Sequence, residues 1–492
     1  MAAVTTKKVA TSFIWQLLER FGAEIVTFVV SIILARLLDP VVYGTIALVT
    51  VITTILNVFV DSGFCSALIQ KKNPDSLDYS TVFYFNILIA LALYAGMFFA
   101  AQPIANFYEL PELVWIIRVL SLTLVFSAIK NCSKAYVAKN MQFKKYFFST
   151  LGGTIAAAVV GITMAYKGFG VWALVAQYVT NAFIDAVILF IAVKWKPRFE
   201  FSFKRLGGLF SFGWKLLLSS LTEAVCDNLR QFIIGKKYSK EDLAYYNRGH
   251  SFPQIIGTNI TASLLAVLFP TFSSIQDDPD KVKDTIRKSI SISSYLVFPM
   301  MVGLAVVAEP MISLLLTDKW LPCVPYLRMF CVFYALKCID STTGSVLKGT
   351  GKSGVLSVLQ ITKKVVDLGL LFAFMWFGVI YVAISMLTAA VIGYILNMII
   401  LKKYYHYSFR EQIADILPNL LITFFMGVAV LALQNVFANK IAVLVLQVGV
   451  GIIIYFIWST LTNNPNYRLL MDFIKSKREA KKQKAKAVGE AK

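Results

Sequence analysis

The sequence predicts an all-α polytopic membrane protein of about 14 transmembrane helices, and three observations carry that prediction. Over 492 residues the chain is 58% hydrophobic and only 15% charged, with a mean hydropathy of +0.69. Soluble domains run at roughly 45 to 50% apolar and about 25% charged. Apolar stretches of about 20 residues, the length that crosses hydrocarbon as a helix, recur along almost the whole chain. Lys and Arg are then shared unequally between alternate connecting segments, as orientation in a bilayer requires.

The first stretch, residues 12–35, carries Glu19, Arg20 and Glu24. Each ion at bilayer depth costs about 2.5 to 3.5 kcal/mol on insertion scales, so a chain that keeps several is expected to use them in a polar cavity. This stretch is a full span without the short apolar core and cleavage site of a signal peptide, so it is expected to stay. Further spans begin near residues 41, 81, 113, 147, 170, 207, 250, 289, 322, 354, 378, 413 and 440. With the N-terminus inside, inside segments hold roughly 32 Lys and Arg and outside loops roughly 8, which places both termini in the cytoplasm. The outside exception is GKKYSKEDLAYYNRGH, with Lys236, Lys237, Lys240 and Arg248 partly neutralised by Glu241 and Asp242. It reads as a solvated hairpin or as a substrate-facing loop.

The net charge of +21 would suit nucleic acid only if it clustered on a soluble surface. Here the charges lie in short loops and in the C-terminal KSKREAKKQKAKAVGEAK, a solvated tail drawn to anionic membrane lipids. No nucleic-acid partner is expected. Cys65, Cys132, Cys226, Cys323, Cys331 and Cys338 show no CxxC or metal spacing and read as small buried hydrophobes. His250 and His406 have no ligand or triad spacing, so neither a metal site nor a catalytic residue is expected.

The chain echoes itself at a shift of about 200 residues, typical of duplicated transporter halves. FIWQLLERFGAEI lies against FGWKLLLSSLTEA, which pairs Trp15 with Trp214 and Glu24 with Glu223. WIIRVL around Arg118 lies against YLRMF around Arg328, and the basic stretch around Lys144 falls near Lys352. The layout is spans 1–6 over residues 1–203, spans 7–12 over 204–403, two further helices over 404–462, and a basic cytoplasmic tail over 463–492. Six spans per repeat make the repeats parallel, with an axis along the membrane normal.

Helical spacing puts Gln16, Arg20, Glu24, Thr27 and Ser31 on one face of span 1. The matching positions of span 7 are Lys215, Ser219, Glu223, Cys226 and Arg230, with Asp227 beside them. Two readings stand: the stripes line a water-filled cavity, or their ions pair locally and hold helices together. Lys337, Asp340, Ser341 and Gly344 form another stripe in span 10; Gln360, Lys363, Lys364 and Asp367 form one in span 11, where Lys363 and Asp367 have ion-pair spacing. Arg118 and Arg328 lie nearer helix starts, where long side chains snorkel. Pro253, Pro270, Pro299 and Pro310 sit at or within spans, as kinks or as helix ends.

The opening FIWQLLERFGAEIVTFVVSIILARLLDPVVYGTIALVTV, with DSGFCSALIQKK, AYYNRG and VLFPTFSSIQDD in order, resembles the polysaccharide-transporter family of the multidrug/oligosaccharidyl-lipid/polysaccharide superfamily. Within it the likeness is to Wzx-type flippases and the exporters of colanic and teichuronic acid repeat units. The resemblance runs from Ser12 to about Thr462 and implies two six-helix bundles across a central cavity, plus two C-terminal helices. It also implies a substrate, an oligosaccharide on undecaprenyl diphosphate, moved from the cytoplasmic to the outer leaflet of the bacterial inner membrane. The product would serve surface polysaccharide such as O-antigen, capsule or exopolysaccharide, alongside other polysaccharide assembly proteins.

No residue role is carried over from the resemblance. From the stripes themselves, Gln16, Arg20, Lys215, Arg230, Lys337 and Lys364 are the candidates to hold the substrate, since a diphosphate calls for shielded cations. Glu24, Glu223, Asp227 and Asp367 are the candidates to take up a coupling proton or sodium ion. No cofactor is expected. The alternatives are a lipid II flippase and a multidrug or cation antiporter of the same superfamily. A membrane-bound polysaccharide polymerase or ligase is the enzymatic rival, disfavoured by the short outside loops.

Overall fold

A computed structural model describes residues 6–61, 64–434, 439–468 and 471; within it the side chains of 6–14, 16–21, 211 and 212 lie outside the described residues. All regular secondary structure among the described residues is helical. Its first half runs α1 (Thr6–Leu37), α2 (Pro40–Asp61), α3 (Phe64–Gln70), α4 (Ser76–Tyr108), α5 (Leu113–Leu120), α6 (Leu122–Lys139), α7 (Phe143–Tyr166), α8 (Val171–Ala192) and α9 (Phe203–Lys237). It continues as α10 (Lys240–Ser274), α11 (Pro279–Val306), α12 (Ala308–Leu316), a 3-10 turn (Asp318–Cys323), α13 (Val324–Gly349), α14 (Ser353–Phe374), α15 (Val379–Tyr405), α16 (Phe409–Ala432) and α17 (Lys440–Leu461). Among the described residues, 11 helical stretches are long and apolar enough to cross a membrane. α1, α9 and α14 are long enough but outside that set, and they are the helices that carry the polar stripes of spans 1, 7 and 11.

Local chemistry explains the helix starts. Asp75 and Asp78 form a reciprocal capping box at α4, Ser408 and Glu411 another at α16, and Asp278 caps α11 ahead of Pro279. Each satisfies amide donors that the first helical turn leaves open. Pro253, Pro270 and Pro299 lie inside helices, and Pro310 in the first turn of α12. Within GKKYSKEDLAYYNRGH the connection is short, Tyr238 and Ser239 alone, with Lys236, Lys237 and Ser239 exposed. Ser239 Oγ accepts from the Asp242 amide at 3.0 Å and donates to its carboxylate at 2.8 Å, which starts α10 at Lys240 and draws AYYNRGH into the helix.

The helices group into two compact units divided between Ala244 and Tyr245, so α9 is counted with the first unit. In that unit α7 packs along both α8 and α1, α6 along α8 and α4, and α2 along α9. Gly153, Ala157 and Gly161 recur at every fourth residue of α7, which lets the backbone of α8 approach. A Cβ at Gly153 would lie 2.9 Å from the Asp185 Cβ, and one at Gly161 3.0 Å from the Gln177 Cβ. Gly44 brings α2 against the α9–α10 turn more closely still, with its absent Cβ 1.9 Å from the Lys240 carbonyl oxygen.

In the second unit α11 packs against α13 and α16, α14 against α15, and α16 against α17. Buried amides and hydroxyls tie the last two helices down. Asn419 Nδ2 donates to Ser294 Oγ at 2.8 Å, Asn464 Nδ2 to Asn419 Oδ1 at 2.9 Å, and Tyr455 OH to the Tyr295 carbonyl at 2.6 Å. At the start of the tail Asn464 and Asn466 are buried, and Asn466 donates to Ser291 Oγ, while Pro465 and Arg468 are exposed. Residues 469, 470 and 472–492 of the basic tail lie outside the described residues.

Candidate functional site

Two ion clusters sit deep within helices, one in each unit. In the first, Lys130 Nζ on α6 lies 2.5 Å from Asp185 Oδ2 on α8, and the Asp185 carboxylate also accepts the hydroxyl of Ser149 on α7. Asp185 is 3% exposed, while Lys130 also lies over the ring of Tyr146 at 5.6 Å. In the second, Lys363 Nζ on α14 lies 2.5 Å from Asp340 Oδ1 on α13 and 2.7 Å from Asn397 Oδ1 on α15. The Asn397 amide donates back to Asp340, so three helices share one closed network.

The internal repeat relates these clusters. α6 and α13 end in matching turns, with left-handed residues at Met141 and Gly351. Counted back equally from those turns, Lys130 coincides with Asp340. α7 and α14 begin just after the same turns, and counted forward equally Gly153 coincides with Lys363. α8 and α15 follow Gly170 and Gly378, and equal counting sets Asp185 against Gly393. Gly393 indeed lies beside Lys363, its absent Cβ 3.5 Å from the lysine methylenes, as Gly153 lies beside Asp185. Each unit thus has one ion on the first helix, its counter-ion on one member of the following helix pair, and a glycine on the other to make room. The polarity is reversed between them.

Beside the first cluster lies a cavity of about 510 Å³, lined by Thr50, Thr53, Thr54 and Asn57 of α2, by Thr123, Ser127 and Lys130 of α6, by Thr150 of α7, and by Tyr178, Asn181 and Asp185 of α8. With Leu120 and Ala182 completing the wall, the lining gathers hydroxyls and amides around a single ion pair, unusual in helices otherwise apolar enough to span a membrane.

The residues expected to bind substrate or a coupling ion are more dispersed. The side chains of Gln16 and Arg20 lie outside the described residues. Glu24 is half-buried on α1; on α9, Lys215, Glu223 and Asp227 are exposed and Arg230 is buried. Lys337 is exposed on α13, its ammonium 5.6 Å from the Tyr334 ring, and Lys364 and Asp367 are half-buried on α14. From the secondary stripes Asp340 and Lys363 do meet, across helices. Asp185 was legible as the lone ion of VWALVAQYVTNAFIDAVILFIA and Lys130 as the first of three lysines in LTLVFSAIKNCSKAYVAK, but nothing in the sequence pairs them.

Lys363→Ala leaves Asp340 without its cation in a partly buried place, so the cost falls below the roughly 3 to 5 kcal/mol of a fully buried pair but above that of an exposed one. Thermal unfolding in detergent should show a larger drop for Lys363→Ala than for Lys337→Ala, whose ammonium is exposed.

Residues 33–325 match the family described as polysaccharide biosynthesis protein. The chain is 26% identical to the succinoglycan biosynthesis transport protein ExoT of Rhizobium meliloti (strain 1021), over 96% of this chain and 97% of that one. It is 22% identical to the lipopolysaccharide biosynthesis protein WzxC of Escherichia coli (strain K12), over 80% and 83% of the two chains. Among solved structures, the lipid II flippase MurJ in an inward closed conformation superposes with a TM-score of 0.75 at 17% identity, covering 93% of this chain and 100% of that one. That likeness shows a shared fold.

Proposed function

This chain belongs to the polysaccharide biosynthesis protein family, and on that premise we propose that it is a flippase for a lipid-linked oligosaccharide repeat unit in surface polysaccharide synthesis. The observation that carries the reading is a polytopic helical fold related over nearly its full length to a polysaccharide transport protein. Polar groups held at membrane depth supply the chemistry. A sugar headgroup on a diphosphate cannot cross hydrocarbon unassisted, because each unsatisfied polar group or bare charge is costly there. Fixed hydroxyls, amides and paired ions replace the lost water.

In this reading the substrate is an oligosaccharide on undecaprenyl diphosphate, carried by alternating access from the cytoplasmic to the outer leaflet of a bacterial inner membrane, with both chain termini cytoplasmic. Arg20, Lys215, Arg230, Lys337 and Lys364, with Gln16, are the proposed contacts for the headgroup. Glu24, Glu223, Asp227 and Asp367 are the proposed sites for a coupling proton or sodium ion. The activity is transport and not bond making.

Deletion of the gene in its host is expected to abolish the surface glycan while a completed repeat unit accumulates on its lipid carrier at the cytoplasmic face. Lipid extraction with mass spectrometry reads this. Absence of accumulation overturns the proposal, and accumulation of a cell-wall precursor with loss of viability favours the lipid II alternative.

A further inference from the structure

We infer that the cavity of the first unit is a sugar subsite, one that takes a neutral pyranose ring by its hydroxyls and not the diphosphate of the same substrate. The inference rests on the flippase reading and says which part of the substrate the cavity receives. At about 510 Å³ the cavity falls within the roughly 300 to 1,000 Å³ of small-molecule sites.

Its charge argues against a phosphate. The ions that line it are Lys130 and Asp185, and they are already joined at 2.5 Å. A diphosphate requires cations that are not neutralised, and drawing Lys130 away would strand the buried Asp185 carboxylate. A polyol asks for something else: donors and acceptors at fixed positions around a space, with a low net charge.

The walls provide that. Thr50, Thr53, Thr54 and Asn57 follow spacings of a single face of α2, a polar stripe inside the otherwise apolar PVVYGTIALVTVITTILNVFVD. Thr50 and Thr53 donate to carbonyls of their own helix, at 3.1 and 3.2 Å, and retain acceptor lone pairs. Across the space, Thr150 Oγ1 on α7 is buried with no hydrogen-bond partner among the described residues. Asn181 on α8 adds an amide, which both donates and accepts. The Lys130–Asp185 pair, with Ser149 behind it, positions α6, α7 and α8 around the ring.

The test uses the full chain in lipid nanodiscs and two kinds of probe: undecaprenyl diphosphate alone, and undecaprenyl diphosphate carrying one hexose, taken from a set of glucosyl, galactosyl and N-acetylglucosaminyl lipids. The wild-type protein is expected to bind its preferred glycosylated lipid at least about tenfold more tightly than the bare diphosphate. Asn57→Leu and Thr54→Val should shrink that ratio toward one while leaving affinity for the bare diphosphate unchanged. Thr54→Val removes a hydroxyl at nearly constant shape, so it keeps the test open if Asn57→Leu fails to fold. Equal wild-type affinity for all the lipids overturns the subsite, as does an unchanged ratio in the folded variants. Equal loss for bare and glycosylated lipids also overturns it, assigning the cavity to the diphosphate. A wild-type protein that binds none of them overturns the flippase reading itself.

Discussion

Asp185→Ala is expected to cost about 3 to 5 kcal/mol of stability and to remove most of the functional protein from the membrane. Asp185 is buried, holds Lys130 at 2.5 Å and accepts the Ser149 hydroxyl, so its removal strands an ammonium among packed helices. The informative comparison is the double variant Lys130→Met with Asp185→Leu. Removing both charges from a buried pair is often neutral or stabilising, whereas removing one is not. Thermal unfolding in detergent should therefore place the double variant far closer to wild type than either single variant. If the double variant is as unstable as Asp185→Ala, the stranded ammonium is not the source of the loss. Transport by the double variant then becomes a separate question, read from glycan at the cell surface.

Gly44→Ala should be the most damaging loss of a glycine in the first unit. A Cβ there would lie 1.9 Å from the Lys240 carbonyl oxygen and 2.5 Å from its carbonyl carbon, both backbone atoms. No side chain can swing aside, so α2 and the α9–α10 turn must separate. Overpacking of this kind costs about 1 to 3 kcal/mol and sometimes more. The turn is also held by Lys240 to Glu112 at 2.9 Å, which opposes the shift. Gly96→Ala on α4 is the control, since nothing lies within 4 Å of its added carbon; there the helix gains up to about 1 kcal/mol. Melting temperatures of the two variants should move in opposite directions.

The helical rods and their approximate starts were readable because hydropathy and helical spacing are local properties. Span beginnings near 41, 113, 170, 378 and 440 fall close to Pro40, Leu113, Val171, Val379 and Lys440. Where capping chemistry outweighed hydropathy, the reading slipped. α10 begins at Lys240 and not near 250, because Ser239 and Asp242 cap a charged first turn. The repeat was also visible, but through residues that match in type, such as Trp15 with Trp214 and Glu24 with Glu223.

That emphasis on matching types hid the two ion clusters. Lys130 answers Asp340 and Asp185 answers Gly393, substitutions that look like divergence in a sequence comparison. In space they are one arrangement with its polarity exchanged, because a glycine opposite each long or charged side chain keeps the helix spacing. The spacing of Lys363 and Asp367 suggested a pair within one helix; the ammonium instead reaches Asp340 and Asn397 on neighbouring helices.

By itself, then, the sequence determined that this is a polytopic helical membrane protein, where its apolar segments lie, and which family its motifs resemble. All of these follow from composition, period and order along the chain. Only the tertiary structure decided which buried ions meet, which glycines hold helices in contact, and where hydroxyls gather into a cavity. Those depend on side chains from helices tens of residues apart converging within a few ångströms, and helical periodicity carries no information about a neighbour across a packed interface.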